Sequence, residues 1–197
     1  MALTRHVADK GRPEPSQPLV ADMPVAIGTP GAGGNSIAVL QFPLGTAGAT
    51  PLGRLAQICR RTAEVKQYAK RTDASAMVTY TAAVHDIPAL LEALGVARPP
   101  VLANMMISNP FGLPERRYLA GAELEMALPM SVLAPGQSLN ITATTYDQGL
   151  QVAFLGLENT LPDIQQLADF TVDAFAQLRR AAEASSIILR RASKQAS

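Results

Sequence analysis

"MISNPFGLPERRYLAGAELEMALP" occupies residues 106–129. Its β-prone start gives way to Asn109-Pro110, Gly112 and Pro114, the residue types of a tight turn, and then to a second apolar run. The stretch reads as strand, turn, strand, with "VLANMMISN" (101–109) leading in and "RRYLAGAELEMALP" (116–129) leading out. Two half-buried strands around such a turn can line a pocket, and they need a sheet to join.

The neighbouring sequence supplies one. "SLNITATTYDQGLQVAFLGL" (138–157) reads as a hairpin with Asp147-Gln148-Gly149 as its turn. Upstream, "PLVADMPVAI" (18–27) and "NSIAVLQFPL" (35–44) are two more β-prone runs joined by "GTPGAGG". Thr50 before Pro51 is a helix cap and first-turn pair, opening a helix over about 51–70. Its apolar stripe is Leu52, Leu55, Ile58, Cys59, Thr62, Val65 and Ala69, which predicts a buried Cys59.

Asp73 caps a second helix from about 74, and Pro88 predicts a kink or restart before Gly95 ends it. Thr160 and Asp163 form a T-x-x-D capping box around Pro162, ahead of a helix with Ile164, Leu167, Thr171, Phe175 and Leu178 at helical spacing. The order β-β-α-α-β-β-β-β-α groups its strands, which predicts an α/β (α+β) fold with a mixed β-sheet and helices packed on it.

At 197 residues the chain is long enough for one domain, expected over 1–182, with 183–197 a fraying basic tail. Residues 2–10 read as the last turns of a helix whose start is missing. Hydrophobic content of 48% with 17% charged residues excludes a disordered chain. A formal net charge of +1 gives no electrostatic footprint for nucleic acid. No apolar run is long enough to span a membrane, and the N-terminus lacks the pattern of a secretory signal. The single cysteine excludes an intramolecular disulfide framework and a cysteine zinc site, and fits a cytoplasmic setting.

No catalytic set assembles from these residues. Gly28 and Gly33 have phosphate-loop spacing, but Gly34 and Asn35 stand where Lys and Ser/Thr are needed, so the loop reads as a turn. His85 and Asp86 are adjacent on a helix, where side chains diverge by about 100°, so they are not a base and its orienter. No G-x-S-x-G elbow occurs, and no His and carboxylate residues stand at metal-ligand spacing. The arginines and lysines on the 51–71 helix read as a solvated face.

Taken in order, the motifs resemble the C-terminal domain of the bacterial wax ester synthase/diacylglycerol acyltransferase family. They are Pro18-Leu19-Val20-Ala21 with Pro24-Val25, Gly34-Asn35, and Pro51 through Arg54-Leu55 with Lys66. Then come Ser108-Asn109-Pro110-Phe111-Gly112-Leu113-Pro114, Tyr118-Leu119-Ala120-Gly121-Ala122 and Pro129-Met130-Ser131. Ser138-Leu139-Asn140-Ile141, Thr145-Tyr146-Asp147-Gln148-Gly149-Leu150 and Leu161-Pro162-Asp163 close the set, collinear over about 20–180.

That resemblance implies one half of a chloramphenicol-acetyltransferase-like two-domain enzyme with a tunnel between similar halves. Acyl-CoA is then a co-substrate, no cofactor is used, and a long-chain alcohol or diacylglycerol is the acceptor. Asn109, Gly112, Pro114 and Tyr146 become tunnel wall. The family's base, the second histidine of His-His-x-x-x-Asp-Gly, belongs to an N-terminal half, and no two histidines are adjacent here. The turn also departs from the family's Val-Pro-Gly-Pro, reading Pro110-Phe111-Gly112-Leu113-Pro114.

The chain is therefore expected to be inactive alone and to need that half. It is expected in the cytoplasm, with at most a peripheral contact with membrane or lipid inclusions. A lipid-, acyl-CoA- or partner-binding module that kept the fold and lost the reaction is the other reading, and a degenerate remnant a third.

Overall fold

The computed structural model describes residues 18–27, 37–45, 49–96, 103–134 and 136–195, together with Leu3 and His6, and side chains as far as Ser186. Of the helix expected at 2–10, only Leu3 and His6 fall among these, and both are helical. The glycine loop over 28–36 lies outside the described residues.

The chain divides into two compact units. The larger comprises Val20–Pro43 and Thr62–Pro162, and holds the sheet. Its strands are β1 (Val20–Ala26), β2 (Ile37–Pro43), β3 (Met105–Ser108), β4 (Tyr118–Leu119), β5 (Ala122–Glu123), β6 (Leu139–Tyr146) and β7 (Gly149–Gly156). Two helices lie between β2 and β3 in sequence, α1 (Pro51–Arg71) and α2 (Ala74–Ala93), and α3 (Ile164–Gln195) closes the chain. Five strands form one mixed sheet in the order β2-β1-β3-β6-β7. β1 is antiparallel to β2 and β6 to β7, while β1–β3 and β3–β6 are parallel.

Pro24 shows how the register accommodates the sequence. A proline cannot donate to a ladder and is confined to edges and ladder ends. β1 pairs with β3 only at Ala21 and Asp22, so Pro24 lies beyond that ladder. Opposite it on β2, the Val39 amide turns outward and donates to the Thr81 hydroxyl of α2 at 3.0 Å. The helix thereby covers an edge that would otherwise be open.

Ala38, Leu40 and Met77 are buried together at this contact, with Met23, Val25, Ile27, Val65 and Ala69 packed around them. Burying such side chains contributes roughly 1.5–3 kcal/mol each. The caps agree with the sequence. The Gly53 amide donates to Thr50 Oγ1 at 3.1 Å, and the Ser75 amide to Asp73 Oδ1 at 2.8 Å.

The second unit comprises Met1–Leu19, Leu44–Arg61 and Asp163–Ser197. In it the Leu44 amide donates to Leu19 O at 2.8 Å, and Leu167 of α3 is buried.

Several expectations are corrected. The strand expected at 116–129 is not one. Only Tyr118–Leu119 and Ala122–Glu123 pair, as a small hairpin outside the main sheet, and 124–134 has no regular structure. The hairpin turn is Ala120-Gly121, with φ of 50° and 84°. Two positive φ values make the kind of turn whose twist matches paired strands. α2 runs unbroken through Pro88, which is buried, so the segment does not restart there.

Cys59 is exposed and not buried, while Val65 and Ala69 of α1 pack against the apolar cluster. α3 begins at Ile164, so Asp163 and not Thr160 stands directly before it, and the Thr160 hydroxyl donates to Asn159 Oδ1 at 3.3 Å. α3 continues to Gln195, past the composition change near 182. No helix among the described residues is long and apolar enough to cross a membrane.

Candidate functional site

One face of β6 is buried and polar: Asn140, Thr142, Thr144 and Tyr146, at alternate positions. Alternation puts these four side chains on one side of the sheet. Buried polar groups are costly unless they find partners. Here the partners come largely from the irregular segment between β3 and β6.

At one end of the face, the Tyr146 hydroxyl donates to Leu124 O at 2.6 Å and accepts from the Arg117 amide at 3.1 Å. At the other end, Asn140 Nδ2 donates to Val132 O at 2.9 Å and to Ser131 Oγ at 3.2 Å. Asn140 Oδ1 accepts from the Thr142 hydroxyl at 2.9 Å. The segment from 117 to 132 is thus an arm tied to β6 at both ends, running opposite to it.

The entry to the arm is pinned by backbone. The Leu113 amide donates to Thr145 O at 2.8 Å, and the Asp147 amide donates to Leu113 O at 3.0 Å. Gly112 packs directly on Thr145, where a β-carbon would collide with both its side chain and its carbonyl. Arg116 bridges two carboxylates, with Nε 3.2 Å from Asp147 Oδ2 and an Nη 2.8 Å from Glu123 Oε1. Its guanidinium pKa is raised, first by Glu123 and then by Asp147. Asp147 takes φ 52° at the β6–β7 turn.

The tyrosine, glycine and proline of the expected wall are close in this arrangement. Tyr146 is buried and Gly112 half-buried, while Pro114 is exposed directly after Leu113, which bridges to Tyr146. Asn109 is exposed, one residue beyond the end of β3. The sequence reading passed over Asn140 and Arg116. An asparagine at an inward position of an alternating strand was the available signal for Asn140, since such a residue must be tying something down.

The arm and the turn before it are apolar and open. Phe111, Leu119, Met126, Leu128, Met130 and Val132 are all exposed, Phe111 at 99% and Met130 at 80%. Apolar side chains concentrated in this way mark a surface that contacts something else.

A second polar cluster lies on β1 and β2. Asp22 is buried, accepting from Gln41 Nε2 at 3.1 Å and from Gln137 Nε2. The Tyr80 hydroxyl donates to Gln41 Oε1. Burial and then the Asp22 charge raise the Tyr80 pKa. The cluster ties β1, β2, α2 and the start of β6 together. No nucleophile with an adjacent base is present in either place, and His85 and Asp86 are not hydrogen-bonded to each other. Among the described residues no three His, Cys, Asp or Glu side chains group as a metal site. Among the described residues the geometry offers an apolar surface on a firmly tied support.

Comparison with known proteins gives this surface a context. A family profile described as "WS/DGAT C-terminal domain" matches residues 33–179. A putative diacylglycerol O-acyltransferase of Mycobacterium tuberculosis is 32% identical over 179 residues, covering 88% of this chain and 36% of that protein. The O-acyltransferase WSD of Acinetobacter baylyi is 36% identical over 155 residues, covering 78% of this chain and 34% of that protein. The solved wax ester synthase/diacylglycerol acyltransferase from Marinobacter aquaeolei VT8 superposes with a TM-score of 0.74 at 28% identity, covering 92% of this chain and 41% of that one. The chain therefore spans little more than a third of the length of the curated relatives it matches.

Proposed function

The chain belongs to the WS/DGAT C-terminal domain family, and from that premise we propose that it is the non-basic half of an acyl-CoA-dependent O-acyltransferase. The acceptor hydroxyl of a long-chain alcohol or diacylglycerol attacks the thioester carbonyl of acyl-CoA. A base takes the hydroxyl proton as the new ester bond forms, and the carbon–sulfur bond breaks to release coenzyme A. The base is the second histidine of a His-His-x-x-x-Asp-Gly motif in a second, N-terminal half. Acyl-CoA is consumed as co-substrate and no further cofactor takes part.

In this reading, Asn109, Gly112, Pro114 and Tyr146 belong to the wall of the tunnel that the substrates share. The single observation that carries it is the exposed apolar arm around Met126 and Met130, tied down by Tyr146 and Asn140, on a chain with no adjacent histidines. A surface of that kind suits long acyl chains and a second protein half far better than water. The reaction would take place in the cytoplasm, with peripheral contact to membrane or lipid inclusions where the lipid acceptors are.

The test is reconstitution. The purified chain is assayed for ester formation from a long-chain acyl-CoA and either acceptor, alone and with an N-terminal half bearing the histidine motif. Product only in the mixture supports the reading. Stoichiometric acyl-CoA binding without product in any mixture would instead make the chain a lipid-binding module.

A further inference from the structure

The strand register puts Asp22 opposite Gln41 and continues the row through Met106 of β3 to Asn140 of β6. Residues in one such row share a face of the sheet, so Asp22 stands on the side that β6 lines with Asn140, Thr142, Thr144 and Tyr146. The other side carries the apolar cluster of Ala38, Leu40 and Met23. None of the residues that the five strands set on the polar side is Lys, Arg or His.

Asp22 is nevertheless 1% exposed. Its Oδ1 accepts from Gln41 Nε2 at 3.1 Å and its Oδ2 from Gln137 Nε2, both neutral donors. Among the described residues no cation pairs with it. A carboxylate has about four acceptor positions, so about two remain open here. Buried charges are costly unless they are paired or coordinate a metal.

Gln137 is 6% exposed, and its Oε1 is buried without a hydrogen-bond partner. The amide cannot turn over to relieve this, because an oxygen would then meet the carboxylate. Gln41 is oriented in the same way, its Oε1 accepting from the Tyr80 hydroxyl. Gln137 Oε1 therefore sits on the same amide that meets Asp22 Oδ2, and both oxygens are short of partners. Carboxylate and amide oxygens together are the ligands of hard cations. A single positive charge balances Asp22. A divalent ion would bring a second charge, and no three His, Cys, Asp or Glu side chains group as a metal site among the described residues. A water would satisfy Gln137 but leave the carboxylate unbalanced.

We propose that Asp22 and Gln137 Oε1 bind a monovalent alkali cation, sodium or potassium, on the polar face of the sheet. The ion ties β1 to the segment entering β6, 115 residues away in sequence. The site goes beyond the acyl-transfer reading and does not depend on it.

The test is thermal unfolding of the full chain in sodium, potassium or tetramethylammonium chloride, each at about 0.1 M so that screening is equal. A cation bound only by the folded chain raises the midpoint by mass action. The midpoint is expected about 3 °C higher in sodium or potassium chloride than in tetramethylammonium chloride. The gap should close in Asp22→Asn and in Gln137→Met. A second measurement needs no variant: the sodium NMR line should broaden when the native chain is added and sharpen again on adding potassium. Equal midpoints in the three salts with no sodium broadening would put a water in place of the ion and overturn the site. A gap that persists in a folded Asp22→Asn variant would place the cation elsewhere. Stabilisation by calcium alone would overturn the monovalent assignment.

Discussion

A β-carbon on Gly112 would lie 2.9 Å from Thr145 Cβ and closer still to the threonine's hydroxyl and carbonyl oxygens. The two residues meet backbone to backbone, beside the bond from the Leu113 amide to Thr145 O. This contact sets where the arm leaves the sheet. Gly112→Ala should therefore destabilise the chain by about 3 kcal/mol, read from urea unfolding. Thr145→Ala should not rescue it, because the obstructing carbonyl remains. A full rescue would show that only the hydroxyl is in the way.

Tyr146→Phe removes the one group that holds both Leu124 O and the Arg117 amide. Leaving partly buried partners unsatisfied costs about 1–3 kcal/mol. The loss should appear locally. Amide exchange at Arg117 and through the β4–β5 hairpin should accelerate, while β1 and β2 remain protected. Equal acceleration everywhere would place Tyr146 in the general core instead.

The sequence carried the five-stranded sheet well. β1, β2, β6 and β7 announce themselves by short apolar runs and by turns, and Thr50 and Asp73 by their capping chemistry. The arm was harder to read for a physical reason. "LEMALPMSV" has the period of a strand, but periodicity records which side chains face together and not whether a neighbouring strand is present. Tyr118-Leu119-Ala120-Gly121-Ala122 likewise concealed a turn, since Ala120 at φ 50° is an unusual place for alanine. Pro88 misled because a proline in a long helix with buried neighbours can be outweighed by tertiary packing. Asn140 and Asp22 were legible only as residue types, since their partners are remote in sequence or in loops.

Asp22→Asn replaces an acceptor-only carboxylate with an amide facing the amide donors of Gln41 and Gln137. One donor then faces another, which should cost about 1–3 kcal/mol of stability. Removing the charge should also move the Tyr80 phenol back toward its ordinary value of 10.0, although the larger cause, burial, remains. Alkaline titration of tyrosine absorbance checks this. Because folding raises the Tyr80 pKa, its contribution to stability is complete below the ordinary value and is lost as pH rises through the folded one. An unchanged Tyr80 titration in the variant would count against the coupling.

Asp73 gives the opposite sign. Bonds from the Ser75 hydroxyl, then from the Ser75 and Ala76 amides, hold its pKa below the ordinary value of 3.8. Its stabilising effect is therefore complete above that value and declines as pH falls through the lowered folded value. Asp73→Asn should keep the cap at neutral pH but flatten the stability profile below about pH 4. Asp73→Ala should weaken α2 at neutral pH as well. Thermal unfolding across that range distinguishes the two.

The most direct test of the central claim is ester formation by the reconstituted halves. The chain is mixed with an N-terminal half bearing His-His-x-x-x-Asp-Gly, a long-chain acyl-CoA and a long-chain alcohol or diacylglycerol. The account predicts no product from this chain alone, product from the mixture, and none when the second histidine of the motif is replaced by alanine. Ester formed by this chain alone, or a mixture that forms a complex and never turns over, would contradict it.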